Sequence, residues 1–389
     1  MFSRCLIRYR ETGQCLELNR RVQKLVARKL ELVLALLNHV ETLVEEQTLT
    51  AVGFIWYEAA AAFDGALQTH SRGVLPLAVF ALFESAEILS ETELPWQTPA
   101  ETASWELAGC KNQYLNNIAA IREKISQGNV YQINYTMPLQ AAGVEAWPLF
   151  SQIAPDAEYA ALIEADDFAI VSASPELFFK LDGSTLRCEP MKGTAARGLS
   201  TQADQAQAEW LAASPKNQAE NLMITDMVRN DLGRIAQPGS VTTSDLFKVA
   251  QHPTVWQMTS SVTCETNASI TEILTHLFPG ASITGAPKNA SMALIRTLEP
   301  QPREIYTGTI GLLEPGRTAQ FNIAIRTAWI DHQRDAARYH AGGGIVWDSE
   351  AEAEFEELMA KTRILKRSTQ ARSFELLETL LWQPHEGYY

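Results

Sequence analysis

The stretch AGGGIVWDSEAEAEFEELMAKTR, residues 341–363, is where one structural rule gives way to another. A strand predicted over 337–346 ends inside it, and a helix predicted over 350–367 begins there. Gly342, Gly343 and Gly344 leave successive backbone N–H groups unobstructed, the arrangement of a nest for a carboxylate. In the helix, Glu354, Glu357 and Lys361 fall at i, i+3 and i+7 and share one side, flanking an apolar stripe. Carboxylates from two helices, completed by water and substrate oxygens, suit a magnesium ion. An ordinary acidic helix face is the competing reading.

Working outward, helices are predicted over 112–126, 202–212, 216–231, 270–277 and 287–298, with strands over 130–137, 158–164, 168–172, 177–181, 185–188, 306–313 and 320–329. Nearer the N-terminus, Val22, Leu25, Val26, Leu30, Val33, Leu34 and Leu37 fit an amphipathic helix over 21–46. The apolar runs at 51–57 and 77–83 suit buried strands. The polar, proline-bearing stretch from Glu91 to Ser104 is the expected junction between an N-terminal subdomain, 1–100, and a main domain, 105–368. Elements come in mixed clusters with strands close enough for hairpins, so the fold class expected is α+β with mostly antiparallel sheet.

Composition narrows the function. Thirty-two basic residues against 46 acidic leave a net charge of -14, which argues against nucleic acid and anionic membrane as partners. An anionic substrate would need a local patch of cations or a metal. Five scattered cysteines without a CxxC pair suggest neither a disulfide framework nor a zinc site. The opening residues lack a signal-peptide core, and the apolar stretch Leu32–Leu37 is too short to span a bilayer. A cytoplasmic protein is expected. Three glycosylation sequons carry no meaning in that setting. A Walker-like spacing at Gly280 and Gly285 has Ala286 where the phosphate-binding lysine belongs. Gly13-Gln-Cys15 faintly matches an amidotransferase nucleophile turn, with too few residues before it to build the necessary strands.

Several side chains could carry chemistry. Lys192 lies beside a glycine in EPMKGTAARG, where a desolvated amine would become a nucleophile; a solvated turn lysine is the alternative. Glu176 opens an apolar strand in SPELFF and could be a general acid or a surface residue. Glu220 shares a helix face with Met223, Ile224 and Met227, a costly place for an unpaired carboxylate. Arg326 sits inside the apolar strand FNIAIRT and must point outward or at a buried anion. Gly280, Gly285 and Pro287 mark a tight turn into a helix, a second candidate anion site.

Taken together, NVYQINYT, SPELFF, PMKGTAARG, AENLMITDMVRNDLGR, FPGASITGAPK, YTGTIG, FNIAIRT and the opening stretch resemble the chorismate-utilising enzymes, in matching order over about residues 110–367. That family includes anthranilate, aminodeoxychorismate, isochorismate and salicylate synthases. At Gln132, isochorismate and salicylate enzymes carry a water-activating lysine; at Lys192, anthranilate synthases usually carry a small residue. Both positions point to the aminodeoxychorismate synthase branch, component I.

The resemblance implies a mechanism. Chorismate's carboxylates would rest on magnesium, Arg326 and the backbone of Gly342 to Gly344, with Tyr306, Thr284 and Gly285 lining the site and Lys361 near a bound carboxylate. Glu220 and Glu357 would hold the metal, with Glu354 beside them. Lys192 would attack ring C2 and drive out the C4 hydroxyl, with Glu176 as the acid. Ammonia would then attack C4 and expel the lysine, giving 4-amino-4-deoxychorismate, a precursor of p-aminobenzoate and folate. A glutamine amidotransferase partner would supply the ammonia.

Three departures qualify the match. Gln257 replaces a histidine common among relatives. The tryptophan-binding Leu-Leu-Glu-Ser motif is not apparent, so inhibition by tryptophan is not expected. The tail, 372–389, resembles the opening strand of aminodeoxychorismate lyase, and a fused or separate lyase is a further expected partner. Two other readings stand beside the main one: an anthranilate synthase component I, and a non-catalytic chorismate-binding homologue.

Overall fold

The computed structural model describes residues 2–8, 14–71, 76–90, 93–94, 96, 103–252 and 255–366. The lyase-like tail at 372–389 and Gly13 lie outside the described residues, as does most of the junction at 91–104. Every pairing between described strands is antiparallel. With helices packed on the outer faces of this sheet, the fold is α+β.

Side-chain alternation explains the layering. In the strand Thr50–Ile55, Val52 and Phe54 enter a core built mainly from strand residues, whereas Ala51 and Ile55 face a core shared with helices Val33–Gln47 and Ile270–Leu277. In Phe168–Ser174, Phe168 and Ile170 join the same central core. Ala169, Val171 and Ala173 face a third core under helices Lys111–Ser126, Ala146–Ile153 and Ala351–Thr362. Strands buried on both faces read as continuous apolar runs, which is why AVGFIWY and FAIVSA lack a polar side. The N-terminal segment is woven into this sheet: Phe2–Arg8 pairs with Tyr159–Ala165, and Thr50–Ile55 pairs with Thr309–Glu314.

Two expectations fail. The predicted helix over 21–46 is a strand, Cys15–Ala27, followed by a helix that begins only at Val33. Val22, Leu25 and Val26 match helical spacing by coincidence; Val22 is 48% exposed, and the segment pairs with Ala78–Leu89 along most of its length. Long-range pairing overrides the local period. The predicted strand over 320–329 is two strands, Thr318–Ile323 and Thr327–Asp331, broken at Arg326 by a left-handed backbone with φ of 49°. That break builds the site. No helix among the described residues is long and apolar enough to cross a membrane.

Candidate active site

The strand Ala336–Ile345 pairs with Gln132–Ala141 along its whole length. On its other edge, Thr327–Asp331 accompanies it only as far as Tyr339. From His340 onward that edge faces no strand among the described residues, so its backbone groups open onto a cleft of about 400 Å³. Arg326, turned aside where the neighbouring strand stops, lines the same cleft.

Gly342 and Gly344 are required here by close approach: a Cβ on Gly342 would collide with the Tyr135 carbonyl, whereas one on Gly343 would make only ordinary contact, 3.4 Å from Glu354 Oε2 and 3.6 Å from Glu357 Oε1 and Lys361 Nζ. One on Gly344 would collide with the Gln132 amide and come within 3.0 Å of Lys192 Nζ. The run therefore lets the strand pass between the acidic helix face and the lysine, with the backbone groups on its unaccompanied edge open to a ligand.

Lys192 stands in the strand Met191–Ala196, at an irregular stretch where its partner register slips. Its ammonium makes no hydrogen bond or ion pair with a described residue. Burial pulls its pKa below the ordinary lysine value, opposed by the charges of Glu176 and Glu220. Glu176 is buried, and desolvation pushes its carboxyl up to about 7, although the Ser282 hydroxyl donates to its Oε1 at 2.7 Å and Lys192 pulls the other way. An amine with weakened proton affinity thus shares the cleft with a carboxyl that holds its proton near neutral pH, the pairing that nucleophilic and acid catalysis require.

Arg326 is the most informative cation. Its guanidinium forms no hydrogen bond or ion pair with any described residue, and burial lowers its pKa. Five donors left unmet in a cleft call for an anion with planar acceptors. Arg197, by contrast, lies away from the cleft: its Nε and Nη2 donate to Asp204 at 2.8 and 2.7 Å, anchoring the turn into the helix Thr201–Ala213.

The three glutamates line the cleft together. Burial raises the pKa of Glu220 and of Glu354, and in both cases the charge of Glu357 adds to the effect. Glu357 is held low, chiefly by Lys361, which meets it at 2.7 Å and also donates to the Gly342 carbonyl at 2.7 Å. Glu354 accepts from the Ser349 hydroxyl at 2.6 Å. Clustered carboxylate oxygens, two of them destabilised as anions by the charge of the third, fit a hard divalent cation in chemistry. Among the described residues, though, no three such side chains are gathered closely enough to hold a metal alone.

Of the residues singled out in the sequence, Lys192, Glu176, Tyr306, Arg326, Gly342, Gly343, Gly344, Lys361, Glu220, Glu354 and Glu357 all line the cleft. The turn in PGASITGAPK presents Ser282 and Ile283 to it, not Thr284 and Gly285. Thr284 is buried with its hydroxyl on the Gly280 carbonyl, and Gly285 is pressed against Ile133 in a short ladder. Sequence reading missed Asn134, Ser282, Lys216, Asn217 and Trp210. A signal existed for Asn134: Gln132, Asn134 and Thr136 form the polar side of an alternating strand, and all three are buried. Gln257 also lines the cleft, buried, with its Oε1 unpartnered among the described residues.

The comparisons agree with this geometry. The model of the "chorismate binding enzyme" family matches residues 4–367, and the chain belongs to that family. Aminodeoxychorismate synthase component 1 of Salmonella typhimurium is 38% identical over 284 residues, covering 71% of this chain and 62% of that protein. An anthranilate synthase component 1 of Haloarcula marismortui is 35% identical over 277 residues, covering 69% of this chain and 56% of that protein. The matched part spans about three-fifths of the length of these curated relatives. Among solved structures, an isochorismate synthase from Bacillus anthracis superposes with a TM-score of 0.76 at 19% identity, covering 93% of this chain and 94% of that one. That likeness speaks for the fold alone.

Proposed function

We propose that this chain aminates chorismate at C4, as the component I of an aminodeoxychorismate synthase. The observation that carries the reading is Lys192: a desolvated, unpaired amine in the cleft, beside Gly344 and electrostatically coupled to a carboxyl that titrates near 7. Arg326 and the backbone of Gly342 to Gly344 would hold the substrate's two carboxylates. Lys192 would form a bond to ring C2 as the C4–O bond breaks. Glu176 would hand its proton to the departing oxygen, so that water leaves. Ammonia would then bond to C4 and the lysine would depart from C2, restoring the ring's double bonds.

Glu220, Glu357 and Glu354 would hold a magnesium ion, which when bound supplies charge neutralisation for a substrate carboxylate. A glutamine amidotransferase would be the ammonia source, and an aminodeoxychorismate lyase would consume the product toward p-aminobenzoate and folate in the cytoplasm. Anthranilate synthesis is the reading to beat. Lys192 stands against it, because an amine that occupies the C2 side of the ring blocks ammonia there.

The decisive experiment is product identity. The purified chain is given chorismate, magnesium and an ammonium salt, and products are separated with mass detection, with and without added lyase. Appearance of p-aminobenzoate on adding lyase supports the reading; anthranilate with pyruvate sinks it. In parallel, Lys192→Ala should abolish aminodeoxychorismate synthesis. Retention of full activity in that variant would remove the covalent step.

A further inference from the structure

Arg303 lies behind the cleft wall, 1% exposed, and touches none of the reacting groups. Its five N–H donors are nonetheless all engaged, and they reach the segments that form the wall. Nε and Nη2 grip Glu299 Oε2 and Oε1 at 2.8 and 2.6 Å. Nη2 also donates to the Asn134 carbonyl at 2.6 Å, and Nη1 donates to the Ile283 carbonyl at 3.0 Å and the Thr307 hydroxyl at 3.3 Å. Glu299 Oε1 in turn accepts from the backbone N–H and hydroxyl of Thr136 at 3.2 and 3.3 Å. The guanidinium lies over the rings of Tyr57 and Tyr306, 4.9 and 5.9 Å from their centres.

Asn134, Ile283 and Tyr306 all line the cleft, and they come from parts of the chain that share no continuous element. Ser282, the residue before Ile283, donates to Glu176. One rigid fork therefore sets the relative position of the strand, the turn and the tyrosine around the acid. We propose that Arg303, locked by Glu299, is a positioning residue for the Glu176–Lys192 pair, acting through the Ile283 carbonyl and Ser282. This rests on the reading of Glu176 as the acid. A fully satisfied guanidinium is pre-organised, so little freedom remains in the wall segments it ties, and misplacement of a reacting group by about 1 Å can cost roughly 100-fold in rate.

The test uses the full chain as Arg303→Lys and, separately, Glu299→Gln, which keeps the shape and removes the charge. The first readout needs no substrate: the titration of the Glu176 carboxyl, followed by carbon NMR. The groups acting on Glu176 are the Ser282 hydroxyl, the Met191 backbone N–H, Lys192 and Tyr306. Loss of the Ser282 hydrogen bond removes a pull toward lower pKa, so the midpoint should move upward in both variants. The second readout is the split between kcat and KM for chorismate. Roughly tenfold or greater loss of kcat, with KM changed by no more than about threefold, is expected where acid and nucleophile are misaligned. Folded variants with an unmoved Glu176 midpoint and unchanged kcat would overturn the proposal, as would a loss confined to KM. If Arg303→Lys fails to fold, Glu299→Gln decides. If the wild type does not aminate chorismate, the functional reading falls, while the titration still judges the placement of Glu176.

Discussion

Arg303 is buried and Arg326 is half-buried in the cleft, and they are kept in opposite states. Every donor of Arg303 has a partner, and the charge of Glu299 lies against it at 2.6 Å. Arg326 has no partner among the described residues. Five hydrogen bonds on the buried guanidinium and none among the described residues on the one lining the cleft point to different tasks. The saturated cation holds the molecule's own backbone in place. The unsatisfied one sits on a broken strand at the open edge of Ala336–Ile345, and its complement must arrive from outside. The same contrast separates the carboxylates: Glu299 is bound on both oxygens, whereas Glu220 and Glu354 have pKa values raised by burial at the cleft.

The largest effect should come from breaking the satisfied half. Arg303→Met leaves Glu299 buried without its cation, and removal of one partner from such a pair costs about 3–5 kcal/mol. Denaturant unfolding should register most of that loss. Arg326→Met should do nearly the reverse. It removes an unpaired, desolvated charge, so stability should hold or rise, while binding of chorismate weakens. Truncating one member of a buried charge pair costs about 2–5 kcal/mol, which is roughly 30-fold or more in Kd. Calorimetric titration would show it, and thermal stabilisation by substrate should shrink in step. Equal stability losses in the two variants would erase the distinction between them.

Much of this was legible in the sequence, and unevenly so. The helix Lys111–Ser126, the strands between Tyr159 and Cys188 and the helix Pro215–Gly233 follow from apolar spacing, because each is long or strongly patterned. The cleft residues stood out singly as glycines, a lysine and several glutamates in unusual settings, each with an ordinary reading beside it, and the resemblance of eight motifs in order joined them into one site. The strand Cys15–Ala27 was misread because its apolar residues happen to repeat every three or four places. Thr242–Gln251 and Val255–Glu265 were missed because the first is largely exposed and too polar to announce a strand. Arg303 was not singled out either. In QPREIYTG it resembles any surface arginine; its partners lie at Asn134, Ile283 and Glu299, and only the fold brings them together.

The smallest effect concerns Glu176, which stands between the two halves: it accepts one hydroxyl bond yet stays desolvated, with its pKa pushed up to about 7. A carboxyl whose folded pKa exceeds its unfolded value binds more protons when folded in the window between the two. Stability must therefore fall as pH rises from the ordinary glutamate value toward 7, by at most about 1.4 kcal/mol for each pH unit crossed. Glu176→Gln keeps the shape and removes the titration. Its stability relative to the wild type should then grow between pH 5 and pH 8 by about 1–3 kcal/mol, read as a divergence of unfolding midpoints. If Glu176 is the acid, as proposed above, the same proton sets the chemistry. An acid is competent only below its pKa, so the acid-dependent step should slow as pH rises through 7, while Lys192 and ammonia both gain reactivity by losing protons. The pH–rate profile with ammonium as donor should accordingly be bell-shaped, and the limb falling with rising pH should be the one that Glu176 sets. A flat difference in stability across that range would mean that Glu176 is ionised throughout, and the carboxyl would then belong with the satisfied residues.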